Sequence, residues 1–158
     1  MSTLADAAGD FLAQARIAVV GVSRAGDTAA NVIYKKLRGA GHQVFAVNPN
    51  AETVENDPSF ARLSSIPGGV DAVVVATHPS VTAQIVEECA RLGITRVWLH
   101  RSVGQGSVSD EAARLARSHG LSVIVGGCPM MFSEPVDVVH RCMRWFMQPA
   151  TRPADPVR

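Results

Sequence analysis

Five short segments carry the residue types that grip a small anionic ligand: Gly21-Val22-Ser23-Arg24-Ala25-Gly26, Asn48-Pro49-Asn50, Thr77-His78-Pro79-Ser80, residues 100–106 (HRSVGQG) and residues 126–132 (GGCPMMF). Each directly follows an apolar run. In the first, glycine and small residues leave backbone N–H groups accessible. The next turn, Thr28-Ala29-Ala30-Asn31, is small enough for a phosphate to approach the helix end. The spacing Gly21-x-Ser23-x-x-Gly26 resembles a dinucleotide fingerprint with serine in place of the middle glycine. Asn48 stands where a ribose-binding Asp or Glu is expected, so both departures disfavour NAD. The plainer alternative is that these glycines only make a tight strand-to-helix turn.

Other chemistries lack their residues. No glycine precedes a lysine, which excludes the phosphate-binding G-x-x-x-x-G-K-[ST] loop. Ser23 has no His and acid fixed near it in sequence, so a nucleophilic role is disfavoured. Cys89, Cys128 and Cys142 form an odd set without C-x-x-C spacing, against a disulfide framework or structural zinc. His78 opens a helix at the ligand edge, where a neutral imidazole can donate to a phosphate or stack on a base; a solvated loop histidine is the competing reading. His100 and Arg101 are expected in a solvated loop, with cationic character for the cleft as the alternative. Cys128 is expected to be a small buried hydrophobe, with a thiol facing the cleft as the alternative. Met130-Met131-Phe132 reads as core or subunit contact, and Asp71 as a backbone cap.

The elements that must position these loops follow from periodicity. Near-continuous apolar runs at 16–22, 44–47, 71–76, 96–99 and 121–125 predict strands buried on both faces, as in a parallel sheet. Helical patterns fall at 2–15, 27–38, 79–92, 109–119 and 135–147. In 79–92 the apolar row is Val81, Ile85, Cys89 and Leu92; in 135–147 it is Val136, Val139, Met143 and Phe146. The Pro/Ser/Asn-rich stretch 48–69 holds a short edge strand and a turn of helix. Strands alternating with helices give an α/β fold with a doubly wound, mainly parallel sheet and helices on both faces. One domain, 1–148, and a flexible tail, 149–158, are expected.

With 158 residues, 47% hydrophobic and 18% charged, the chain can bury a sizeable single core. Its net charge of +1 and lack of a basic block give no support for nucleic acid or an anionic membrane as partner. No apolar run approaches the ~20 residues of a membrane span. No secretory signal is visible, so the cytoplasm is the expected location.

With these loops in view, the chain resembles the stand-alone CoA-binding domain family, related to the N-terminal domain of the succinyl-CoA synthetase α subunit. The resemblance spans residues 11–147. Its carriers are Ile17-Ala-Val-Val-Gly-Val-Ser23, Asn31 with Lys35 and Leu37, Val44-Phe-Ala-Val-Asn-Pro49, Val70-Asp-Ala-Val-Val-Val-Ala76 leading to Pro79, Val97-Trp98-Leu99 and Gly127-Cys128-Pro129. It implies a Rossmann-like domain holding coenzyme A or an acyl-CoA at the carboxyl edge of the sheet, with no catalytic residue assigned. Carried over by position, Gly21, Val22, Ser23 and Arg24 would contact the phosphate and pantetheine region. Asn31 belongs to the same set, Asn48 and Pro49 would border the adenosine, and Ala76, Thr77, His78 and Pro79 would line the other wall. Asn50 stands where members often carry Lys or Arg, so a charge partner for the 3′-phosphate is missing there. The implied role is a CoA-binding protein without chemistry of its own, with room for a protein partner or a homo-oligomer. The alternatives are an NAD(P)-dependent enzyme, an acyl-CoA ligase-type subunit completed by a partner, and an interaction protein with a vestigial nucleotide cleft.

Overall fold

Each apolar run becomes a strand because its side chains find hydrophobic cover on both sides. The computed structural model describes residues 3–102, 104–147 and 152–154. The strands are β1 (Arg16–Val20), β2 (Gln43–Val47), β3 (Thr53–Val54), β4 (Asp57–Phe60), β5 (Ala72–Val75), β6 (Arg96–Leu99), β7 (Ser122–Val125) and β8 (Arg152–Ala154). The α-helices are α1 (Leu4–Leu12), α2 (Ala29–Gly39), α3 (Pro79–Arg91), α4 (Asp110–Ser118) and α5 (Val138–Met147). The sheet order is β3-β4-β2-β1-β5-β6-β7-β8. Only the outermost pairs, β3–β4 and β7–β8, are antiparallel. The doubly wound α/β expectation therefore holds.

From β1 the chain moves outward to β2 and then crosses back to β5 on β1's other side, so the strand order reverses at the β1–β5 boundary. The register aligns Val20 with Val47 and Val75, Val75 with Leu99, and Leu99 with Val125. Their following loops thus leave the sheet in one row, beside the crevice where such sheets bind ligands.

One face of the sheet is covered by α1 and α2 through Phe11, Ile33, Tyr34 and Leu37, together with Met130 and Met131. The other is covered by α3 and α4 through Val86, Cys89, Ala112 and Ala116. Trp98, fully buried on β6, packs edge-to-face on Phe11 with ring centroids 5.4 Å apart. Its indole N–H donates to the Gly126 carbonyl at 3.0 Å, so the ring is both packed and satisfied.

Three expectations are corrected. In α3 the buried row is Thr82, Val86 and Cys89, whereas Val81 and Leu92 are exposed. The Thr82 hydroxyl donates to the Ser107 carbonyl at 2.9 Å, a polar anchor that turns the helix away from its apolar row. In α5, Val139 and Phe146 lie 65% and 73% exposed, as do neighbouring Val138 and Trp145. The helix instead leans on the body through Met143 and through Arg144, whose guanidinium lies over the Phe132 ring. The expected tail, 149–158, lies mostly outside the described residues; of it, Arg152–Ala154 pair antiparallel with β7. The stretch 48–69 forms a β3–β4 hairpin and a 3₁₀ turn at Leu63–Ser65, one strand more than expected.

The two tryptophans separate core packing from surface composition. Trp98→Ala should cost about 3–5 kcal/mol in urea unfolding, while Trp145→Ala should stay within about 0.5 kcal/mol of the parent.

Candidate functional site

The chain leaves β1 through Gly21, whose φ of +108° favours glycine. A Cβ built there would stand 2.3 Å from the Ala76 carbonyl oxygen. Close approach of the backbone following β5 therefore demands this glycine, whatever binds nearby. Val22 buries its side chain and presents its carbonyl, which accepts from Asn48 Nδ2 at 2.9 Å. The Asn48 Oδ1 accepts in turn from the Asn50 N–H at 2.8 Å. One side chain thus ties the loop after β1 to the loop after β2.

Ser23 is held from behind. Asn31, fully buried on α2, accepts from the Ser23 N–H at 2.9 Å and donates to the Ser23 carbonyl at 2.8 Å. Its Nδ2 also donates to Glu55 Oε1 at 2.7 Å, and its Oδ1 accepts from the Thr28 hydroxyl. Thr28 caps α2. The Ser23 hydroxyl accepts from the Ala25 N–H, rounding the loop over the end of that helix. Ser23, Arg24, Ala25, Asn48 and Asn50 surround a polar cavity of about 560 Å³ in which Arg24 is the only charged side chain among the described residues.

A second cavity of about 320 Å³ lies across Pro49, lined chiefly by Val47, Pro49, Leu63, Thr77, Val81 and Ile85, with Arg62 and Glu88 at its polar part. The buried Thr77 hydroxyl has no hydrogen-bond partner among the described residues, so it is a polar group that a ligand could satisfy. A polar cavity beside an apolar one, separated by Asn48-Pro49, suits a ligand with an anionic part and a ring.

Of the residues singled out in the sequence, Ser23, Arg24 and Asn48 line the polar cavity, and Pro49 and Thr77 the apolar one. Gly21 packs against the Ala76 backbone and Val22 is tied to Asn48, and none of Gly21, Val22 and Ala76 lines either cavity. Asn31 lies behind the loop and shapes it from the core. His78 is exposed and caps α3, its Nδ1 accepting from the Ser80 N–H at 3.2 Å, with Pro79 in the first turn. Neither lines either cavity.

Two further expectations need correction or closure. His100 is buried rather than solvated, and burial with His140 nearby pushes its pKa down to about 4, so it brings no positive charge to the cleft. Cys128 is 2% exposed, and burial pushes its thiol up to about 11, which fits the packing role and not a reactive thiol facing the cleft. Glu55 was not foreseen. It reaches Asn31 because Glu55 and Asn56 take positive φ in the β3–β4 turn, a conformation that the run Glu55-Asn56-Asp57-Pro58 signals only through its Asn and Pro.

The sequence profile described as CoA binding domain matches residues 15–134. The chain belongs to the CoA binding domain family. Within this family setting, YneT of Bacillus subtilis strain 168 is 28% identical over 113 residues, covering 72% of this chain and 81% of YneT. The ADP-forming acetate–CoA ligase I of Archaeoglobus fulgidus is 24% identical over 126 residues; these make up 76% of this chain but only 18% of the ligase. Among solved structures, a hypothetical protein from Pyrococcus horikoshii OT3 superposes with a TM-score of 0.76 at 25% identity, covering 86% of this chain and 96% of the other. No helix among the described residues is long and apolar enough to cross a membrane.

The buried imidazole of this CoA binding domain gives a pH signature. His100 protonates near 6.5 when unfolded and near 4 when folded, so the unfolded state holds more protons between those values. Stability should therefore fall as pH drops through that window, by up to about 3 kcal/mol from this group. Urea midpoints at pH 7 and pH 4.5 measure the loss, and the His100→Gln variant should show a visibly shallower slope.

Proposed function

We propose that the chain binds coenzyme A or an acyl-CoA along the edge formed by the loops after β1, β2 and β5, without chemistry assigned to that cleft. The observation that carries this reading is the polar cavity between the loops after β1 and β2, next to the strand reversal, whose described lining holds Arg24 and the Ser23 loop and no carboxylate. Phosphates would lie over Ser23 to Ala25, near the N-terminal end of α2, whose backbone N–H groups and dipole favour an anion. The adenosine would border Asn48 and Pro49 and use the apolar cavity on their far side, where the Thr77 hydroxyl supplies a hydrogen bond. Family membership supports CoA as the ligand, and Asn48 at the ribose position argues against NAD. A cytoplasmic setting, where CoA and its thioesters are available, is part of this reading.

The match to one part of an ADP-forming acetate–CoA ligase favours a second reading, in which this domain works as one subunit of a larger acyl-CoA ligase. Ligase activity would then appear only on addition of a partner chain. CoA binding by the isolated chain is expected under both readings.

Calorimetry against CoA, dephospho-CoA, NAD, NADP and ATP tests the proposal. CoA should bind, and at a hundred times its Kd should add about 2.7 kcal/mol of stability. NAD binding as tightly as CoA, or no CoA binding, would overturn it. Because Asn50 supplies no charge-assisted bond, dephospho-CoA should bind within about tenfold of CoA, roughly 1.4 kcal/mol. Arg24→Ala should weaken both ligands, and Asn50→Lys should widen the preference for CoA. Asn31→Ala should lower both stability and CoA affinity, since it frees the Ser23 loop.

A further inference from the structure

Beside the candidate cleft, two strand-end loops bring together nucleophilic and basic side chains that the binding reading does not use. The loops after β6 and β7 are joined by a bridge between Arg101 and Gly127, with the Arg101 N–H donating to the Gly127 carbonyl at 2.9 Å. Through this junction the Cys128 thiol meets the Ser102 hydroxyl, which lies 2.8 Å from His100 Nε2. His100 and Cys128 are buried, whereas Ser102 is half-buried, so Ser102 is the less enclosed of the two nucleophiles.

The same loop is fastened to the cleft wall. Ser107 donates from Oγ to the Thr77 carbonyl at 2.6 Å and accepts the Thr82 hydroxyl at its own carbonyl. Strands β1, β5 and β6 are neighbours, with Val20, Val75 and Leu99 in register. His100 therefore lies about two strand spacings, ~10 Å, along the sheet edge from Gly21. A pantetheine arm running along that edge from phosphates at the Ser23 loop would carry its sulfur towards Ser102.

We propose that Ser102 is an acyl acceptor, with His100 as its base, for the thioester of an acyl-CoA held at the candidate site; this rests on the binding reading above. Ser102 Oγ attacks the thioester carbonyl while His100 Nε2 takes the hydroxyl proton. The C–S bond breaks, the proton passes from Nε2 to the departing CoA sulfur, and the acyl group remains as an ester on Ser102. Water, with His100 again as base, then cleaves the ester to a carboxylic acid and restores the hydroxyl. The imidazole is in its neutral, proton-accepting form well below pH 7. Its low basicity makes for slow transfer. The titratable groups facing His100 and Ser102 are Cys128 and the His140–Asp137 pair on and before α5.

The test uses two acyl donors: acetyl-CoA, which needs the cleft, and p-nitrophenyl acetate, which does not. Thiol or nitrophenol release is followed alongside intact mass and peptide mapping. Both donors should place one acetyl group on Ser102, and acetylation by p-nitrophenyl acetate should persist from pH 7.5 to pH 5.5. Ser102→Ala should abolish the adduct while CoA binds as before, and His100→Gln should slow acylation at least tenfold. Ser102→Cys should form a thioester adduct at the same position. Should acetyl-CoA bind in calorimetry while neither donor labels Ser102, or should Cys142 be the labelled residue, the acyl-acceptor assignment fails. Labelling by p-nitrophenyl acetate with no binding of acetyl-CoA would instead overturn the cleft reading and leave the Ser102–His100 pair standing.

Discussion

The carboxamide of Asn31 sits where no water reaches it, and a buried polar group left unpaired costs about 1–3 kcal/mol. It is satisfied by reaching outward. Its oxygen takes the Ser23 N–H and the Thr28 hydroxyl, and its nitrogen serves the Ser23 carbonyl and Glu55. The turn after β1, the start of α2 and the β3–β4 hairpin are therefore pinned to one group. Moving any of them leaves a donor or acceptor stranded. This couples the shape of the polar cavity to the packing of the core beneath it.

A second polar set secures the same hairpin. Tyr34, buried on α2, donates to Asp57 at 2.7 Å, and Arg38 pairs with Asp57 from the next turn of the helix. Burial and then the Asp57 carboxylate raise the Tyr34 pKa, while the Tyr34 hydrogen bond chiefly lowers that of Asp57. Arg38 also donates to the Glu55 carbonyl. With its backbone held there, Glu55 can take positive φ and still present its carboxylate to Asn31. Lys35, at 3.7 Å, offsets that charge.

The central strands were legible because their apolar runs have no polar face to hide, and Gly39, Gly93 and Gly120 mark the ends of α2, α3 and α4 as their positions suggest. The five loops were legible for the same reason: they are what remains between unmistakable elements. The faces of α3 and α5 were not. Thr82 looks polar in sequence, and only its bond to the Ser107 carbonyl, 25 residues away, makes it a core residue. Val139 and Phe146 look like core, yet α5 meets the body through Met143 and Arg144. His100 reads as loop from its neighbours, although the register of β5 and β6 draws it inside. Periodicity records which residues share a face, but contacts distant in the chain decide which face is turned inward.

The outermost strands of the sheet carry a consequence of another kind. A long parallel sheet with bare margins offers rows of unpaired N–H and C=O groups on which a second chain can build. Here one margin ends in the two-residue strand β3 and the other in the three-residue strand β8, both antiparallel to their neighbours. The central residue of β8 is Pro153, which has no N–H to offer a further strand. Cutting the chain before Arg152 would uncover β7, an apolar strand whose outer hydrogen-bonding groups would then be open. Arg152–Ala154 thus act as a stop against edge-to-edge growth, and their removal would be felt first in solubility rather than in the ligand cleft.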